Sequence, residues 1–206
     1  MKNSIKDEII KYGNILDSKS FSPGTSGNIS VRLEDKILIT ASGSSNGALT
    51  YDDLVLIDFN GNSLENGKKA SSEKLLHIEF YKKRPDIKAI IHVHPPFLSG
   101  FAAARQALDE PIMAENVFYF GKIPLAEYGM PSSKTLVDNT AKYFDKYEAV
   151  LMANHGFIAG SYDIKDAYLK VELAESYAQV VLNAKVLGGA VPLTPKDVAD
   201  IEALKK

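Results

Sequence analysis

The stretch Ile90–Phe97, IIHVHPPF, sets two histidines one residue apart in front of a double proline. Alternate side chains of a strand share a face, so Ile90, His92 and His94 point one way and Ala89, Ile91 and Val93 the other. Pro95-Pro96 then ends the strand, which puts both imidazoles at an edge or mouth of a sheet where a ligand can enter. That arrangement suits a metal chelate, and it equally suits two polar residues at a strand end. The pair alone leaves both readings open.

Upstream, Ser71-Ser72-Glu73 precede a periodic stretch in which Leu76, His77 and Phe80 share a helical face, and the helix should stop before Pro85. Downstream, LSGFAAARQA reads as a helix, KIPLAEY and EAVLMA as strands, and Ser132-Ser133 as the start of a helix carrying Leu136, Val137, Thr140 and Phe144. The longest helix is expected from about Asp163 to Gly188, with Ile164, Ala167, Val171, Ala174, Ala178 and Val181 on one stripe. Thr194-Pro195 caps a short last helix. In the first third, Ile5, Ile9, Tyr12 and Leu16 mark an amphipathic helix behind a Ser4/Asp7 capping pattern. NISV and KILIT follow as strands joined by a polar turn at Glu34-Asp35, and LVLID is a strand entering a hairpin at NGN. Strands and helices interleave without a linker, so the expected class is α/β in a single domain over residues 1–206.

The chain is 45% apolar and 24% charged, as soluble globular proteins are. No apolar run approaches the ~20 residues that span a bilayer, and MKNSIKDEII lacks the apolar core of a signal peptide. No membrane partner and a cytoplasmic location are therefore expected. A net charge of −2 with scattered basic residues gives no footprint for nucleic acid. With no cysteine, any metal must be held by imidazole, carboxylate or water.

A third histidine, His155, stands in ANHGFIAG at the end of an apolar strand. A zinc site built without cysteine takes three histidines, or two with a carboxylate, plus an open position. The carboxylate candidate is Glu73, on the first turn of its helix, and His77 on the same face reads as a buried histidine behind it. Ser71 and Ser72 offer hydroxyls and helix N-terminal N–H groups to a phosphate. The loops GTSGNIS and TASGSSNG can turn amides inward as an anion nest, or can be ordinary turns. Neither a Walker A loop nor a dinucleotide fingerprint is present, so ATP and NAD are not implied.

Taken in order, TSGNIS (25–30), ITASG (39–43), SSE (71–73), HVHP (92–95) and NHG (154–156) resemble the motif series of the class II aldolase/adducin family, close to its L-fuculose-phosphate aldolase type. The resemblance spans nearly the whole chain. It implies a three-layer α/β/α domain with a largely antiparallel central sheet, assembled as a homotetramer with active sites between subunits. It further implies zinc on His92, His94 and His155, with Glu73 first a fourth ligand and then the proton-transfer base, and the substrate phosphate on Asn28, Ser42, Gly43, Ser71 and Ser72.

The implied reaction is reversible retro-aldol cleavage of a small ketose 1-phosphate to dihydroxyacetone phosphate and an aldehyde, with zinc as Lewis acid and no lysine Schiff base. Glutamate at position 73 disfavours the epimerase type, which carries aspartate there. The fuculose type places a neighbouring subunit's tyrosine near PIMAENVFYF; here Glu115 falls at that place, with Tyr119 four residues on. A glutamate there resembles the methylthioribulose-phosphate dehydratase branch, and a 3-oxo-acid-phosphate decarboxylase is a further alternative on the same scaffold. No tyrosine follows Tyr177, so no tail tyrosine is evident to cover the site. A non-catalytic, adducin-like assembly domain is the competing reading, opposed by the intact set Glu73, His92, His94 and His155.

Overall fold

The computed structural model describes residues 2–205, and side chains over residues 4–205. The chain runs α1 (Lys2–Ser18), β1 (Asn28–Leu33), β2 (Lys36–Thr40), β3 (Leu54–Asp58), α2 (Lys74–Lys83), β4 (Ala89–Val93), α3 (Pro96–Ala103), α4 (Ala114–Tyr119), β5 (Leu125–Ala126), α5 (Lys134–Ala141), β6 (Ala149–Met152), β7 (Gly156–Ser161), α6 (Ile164–Val186) and α7 (Pro195–Ala203). The strands form one sheet in the order β3-β2-β1-β4-β7-β6-β5. Every neighbouring pair is antiparallel except β5 with β6.

Strand alternation divides the core into two apolar clusters. Ile29, Ile91, Val93 and Phe157 pack with Ile9 and Leu16 of α1, Leu98 of α3 and Val171 of α6. On the opposite face Ile39, Ile90, Val150 and Ile158 pack with Leu76 and Phe80 of α2 and Leu136 of α5. This is the expected three-layer α/β/α arrangement with a largely antiparallel sheet. Covered on both faces, β4 has all five residues buried, and its sequence is apolar apart from His92.

Several elements differ from expectation. α1 begins at Lys2, so Ser4 lies inside its first turn instead of capping it. The strand expected over KIPLAEY contracts to Leu125–Ala126, since Pro124 has no N–H for the ladder; its carbonyl accepts from Leu151 N–H at 2.9 Å. β7 was not foreseen, and it carries two glycines, Gly156 and Gly160. Gly160 has a packing reason: a Cβ there would lie 2.8 Å from Ile87 Cδ1. The six-residue α4 was also missed.

α3 starts immediately after the histidine pair and is held by a buried carboxylate. Glu175 of α6 accepts the Phe97 and Leu98 N–H groups, each at 2.8 Å. Burial pushes this carboxyl above its ordinary range, against the two donors. Among the described residues no helix is long and apolar enough to cross a membrane.

Phe80 and Phe144 stack with ring centroids 3.9 Å apart, both fully buried. Phe144→Ala is expected to destabilise the fold by about 4 kcal/mol. Urea unfolding should show a lower midpoint at unchanged slope.

Candidate active site

The register of β1 on β4 sets Asn28 opposite His92, and that of β4 on β7 sets His92 opposite Ile158. His92 is therefore on the sheet face that α2 covers. Its Nδ1–H donates to the Phe157 carbonyl at 2.9 Å, which leaves Nε2 to face inward. His94 lies one residue past β4, with its Nε2 3.1 Å from His92 Nε2. His155 comes from the turn between β6 and β7, behind Asn154 at φ 53°. That turn is braced where Arg105 Nε donates to the Asn154 side-chain oxygen at 3.0 Å. One donor atom from each of the three histidines lies within 4.8 Å of the others. Gly156 makes the approach possible: a Cβ on it would sit 2.3 Å from His94 Cδ2.

Glu73 sits at the start of α2 and points into this cluster. Its Oε2 is 3.1 Å from His92 Nε2, and its Oε1 is 3.3 Å from His155 Nε2. Burial pushes the Glu73 carboxyl up, but His92, His155 and the Asn28 amide together outweigh it and hold the group below the usual carboxylate range. Burial pushes His92 down, and Glu73 more than offsets this, so its pKa is raised. Burial, then the neighbouring His92, lowers His94 to about 3 and His155 to about 4. At neutral pH His94 and His155 thus offer lone pairs beside an anion. Glu73 Oε1 and His155 Nδ1 are buried with no hydrogen-bond partner among the described residues. Convergent nitrogens and an incompletely satisfied carboxylate are a donor set that fits a divalent cation.

Behind Glu73 lies a polar chain that sequence reading reduced to one buried histidine. Asn28 Nδ2 donates to Glu73 Oε2 at 3.0 Å, and Asn28 Oδ1 is 2.6 Å from His77 Nε2. His77 Nδ1 is 2.7 Å from Ser30 Oγ, which is 2.9 Å from the Tyr81 hydroxyl. Full burial, with His92 nearby, lowers His77 to about 3 and keeps it neutral. Ser30 is two residues from Asn28 on one strand, so period-two alternation was the signal that could have found it.

In front of the histidines opens a cleft of about 300 Å³ lined by Glu73, His94 and His155, and by all five residues expected to hold phosphate: Asn28, Ser42, Gly43, Ser71 and Ser72. The expectation of free amides at a helix N-terminus is corrected for Ser71. α2 begins at Lys74, after the serines, and the Ser42 and Ser71 N–H groups are spent on the carbonyls of Lys69 and Thr40 at 2.8 and 3.0 Å. Those two serines therefore offer hydroxyls. Gly43, at φ +77°, turns where other residues would be strained. Thr25, Ser26, Pro131 and Ser132 line the cleft too. The first two lie in the glycine-rich loop already quoted; nothing in sequence spacing links Pro131 and Ser132 to it.

Residues 7–182 match the Class II Aldolase and Adducin N-terminal domain. The chain belongs to the class II aldolase and adducin family. It is 36% identical over 177 residues to an L-fuculose phosphate aldolase of Methanocaldococcus jannaschii, covering 86% of this chain and 95% of that one. It is 33% identical to a 5-deoxy-D-ribulose 1-phosphate aldolase of Bacillus thuringiensis serovar kurstaki, over 98% of this chain and 93% of the relative. A 3-oxo-tetronate 4-phosphate decarboxylase of Haemophilus influenzae is 32% identical, over 96% and 95%. A solved L-fuculose 1-phosphate aldolase superposes with a TM-score of 0.92 at 33% identity, covering 98% of this chain and 96% of that one. Membership in this family supports a lyase.

Within one chain of this class II aldolase fold, the second acid/base candidates do not join the histidines. Glu115 lines a separate groove between α4 and α6 with Met113, Leu173 and Tyr177. Tyr119 lines another, with Leu169 and Lys170.

The loop carrying Ser42 and Gly43 is anchored by Asp53. That carboxylate accepts from Lys68 Nζ at 2.7 Å, Ser44 Oγ at 2.5 Å, and Thr50 Oγ1 and N at 2.7 and 3.0 Å. Lys68 first, then the two hydroxyls, depress its pKa below the ordinary 3.8. The stability this supplies is complete above that ordinary value and is lost as pH falls through the folded pKa. Asp53→Asn should lower stability at pH 7 by about 2 kcal/mol. Thermal melts of the two proteins should converge as pH is taken below 3.8.

Proposed function

We propose that this cleft is the active site of an aldolase that reversibly splits a small ketose 1-phosphate, fuculose 1-phosphate-like, into dihydroxyacetone phosphate and an aldehyde, with residues 1–206 acting as one domain. The observation that carries it is the convergence of His92, His94, His155 and Glu73 at the wall of a hydroxyl-lined cleft. The printed activities of the archaeal and Bacillus relatives, both sugar-phosphate aldolases, support it.

His92, His94 and His155, with Glu73 as fourth ligand, would hold the cation. Three imidazoles and a carboxylate with no thiolate suit zinc. When bound, such an ion supplies Lewis acidity toward the substrate's carbonyl and neighbouring hydroxyl. Asn28, Ser42, Gly43, Ser71 and Ser72 anchor the phosphate by hydroxyl and amide donors. Glu73 moves the proton. In cleavage the C3–C4 bond breaks and the C4 hydroxyl proton leaves to a second base, which releases it to solvent. Glu73, displaced from the cation by substrate and protonated from solvent, delivers its proton to the former C3, now the hydroxymethyl carbon of dihydroxyacetone phosphate. In condensation it removes that proton.

The second base is assigned to Glu115. Since Glu115 lines a different groove of its own chain, this role requires a neighbouring subunit, and a homotetramer with active sites between subunits would provide it. Decarboxylation of a 3-oxo-acid phosphate is the second reading, favoured by the Haemophilus relative.

Purified protein should carry about one zinc per chain, lost in His92→Ala and His155→Ala. Undiminished activity in protein stripped of metal would overturn the mechanism. A panel of ketose 1-phosphates, methylthioribulose 1-phosphate and 3-oxo-tetronate 4-phosphate should release dihydroxyacetone phosphate from a ketose 1-phosphate. Carbon dioxide or a dehydrated ketone as the principal product selects the decarboxylase or dehydratase instead. Gly156→Ala, which drives a methyl into His94, should weaken zinc binding about tenfold or more in chelator competition.

A further inference from the structure

We propose that His77 is a positioning residue of the site, fixing the Asn28 amide with its nitrogen toward Glu73 and toward the anion cleft. The role rests on the reading of that cleft as a phosphate and metal site.

Hydrogen-bond direction assigns it. The two ends of an asparagine amide have the same shape, so only its neighbours decide which way it faces. An ionised Glu73 can only accept. Turned over, Asn28 would set its oxygen where its nitrogen now stands, 3.0 Å from Glu73 Oε2, acceptor against acceptor. With the nitrogen there instead, Asn28 Oδ1 faces His77 Nε2 at 2.6 Å, so Nε2 must carry the hydrogen. A neutral imidazole has one such hydrogen, so Nδ1 accepts, and the 2.7 Å contact is Ser30 O–H donating to it. Ser30 Oγ in turn accepts from the Tyr81 hydroxyl at 2.9 Å, whose proton it shares with the Ser30 carbonyl at 3.0 Å. One proton order is consistent with every bond from Tyr81 through Ser30, His77 and Asn28 to Glu73 Oε2.

The consequence reaches the cleft. An amide nitrogen has two hydrogens, and only one goes to Glu73. Asn28 lines the cleft, so its second N–H is left for an anion there. The opposite His77 tautomer would favour a turned amide, with an oxygen facing both the carboxylate and the anion. His77 is buried, at the i+4 position from Glu73 on α2, so one helix sets the carboxylate and the group that orders its donor.

Nitrogen-15 correlation spectra of the zinc-loaded protein should show His77 as the Nε2–H tautomer; an Nδ1–H signal overturns the proposal. His77→Leu should weaken binding of inorganic phosphate about tenfold, with zinc content unchanged. His77→Gln, whose amide can accept from Ser30 and donate to Asn28, should stay within about threefold of wild type. Equal phosphate affinity in all three proteins overturns the proposal. If the leucine variant does not fold, the tautomer decides. Wild-type protein that ignores phosphate counts against the cleft reading, and the tautomer then decides the ordering of Asn28 on its own.

Discussion

The pairing of β4 between β1 and β7 is the constraint on which the site depends. It sets Asn28, His92 and Ile158 across three adjacent strands. A slip of one residue would turn His92 into the apolar layer formed by α1, α3 and α6 and would send Ile91 toward Glu73. An imidazole buried there without a partner costs several kcal/mol. Ile90 and Ile158, buried against α2 and α5 on the same face as His92, hold the register by ordinary hydrophobic burial. The core thus fixes the position of His92 to within the pleat of a strand.

Ionisable groups placed this deep in a protein need partners, and the chain supplies them unevenly. Asn28, His77, Ser30 and Tyr81 form a closed hydrogen-bonded chain behind the carboxylate. Among the described residues Glu73 Oε1 and His155 Nδ1 are left without hydrogen-bond partners. A buried polar cluster that is complete behind the carboxylate and incomplete at Glu73 Oε1 is rigid on the first side and open to a ligand on the second. Binding that satisfies those atoms also stabilises the fold, because an unfolded chain offers no such site.

What was legible in the sequence follows from how local each cause is. Alternation in AIIHV, the α6 stripe, Ser133 at a helix start and Thr194 as a cap are written within a few residues, and each stands where it was read. The histidines and Glu73 were legible because motif order reports a shared ancestry of fold. β7 was not foreseen, and its glycines stand where Ile87 and His94 crowd the backbone from other elements. Whether serine N–H groups were free depended on Lys69 and Thr40, and the polar chain behind Glu73 depended on a strand and a helix meeting. Tertiary contacts of this kind leave no trace in local spacing.

One further property of the cleft ties its two halves together. Among the described residues that line it there is no lysine or arginine. A phosphate held there would have its charge met by hydroxyl and amide dipoles, which orient the anion but do not neutralise it. A cation held by the histidines would supply positive charge that these lining residues lack. Three neutral imidazoles and one carboxylate offset only half of a divalent charge, so the loaded site would present a net positive field to an anionic substrate. Cation and phosphate would then bind with positive coupling, each raising the affinity for the other by the same factor. A lysine in the cleft would hold phosphate without the metal and uncouple anchoring from chemistry. Under the proposed reading, its absence among these residues would make anchoring of the phosphate depend on a cation held by the histidines.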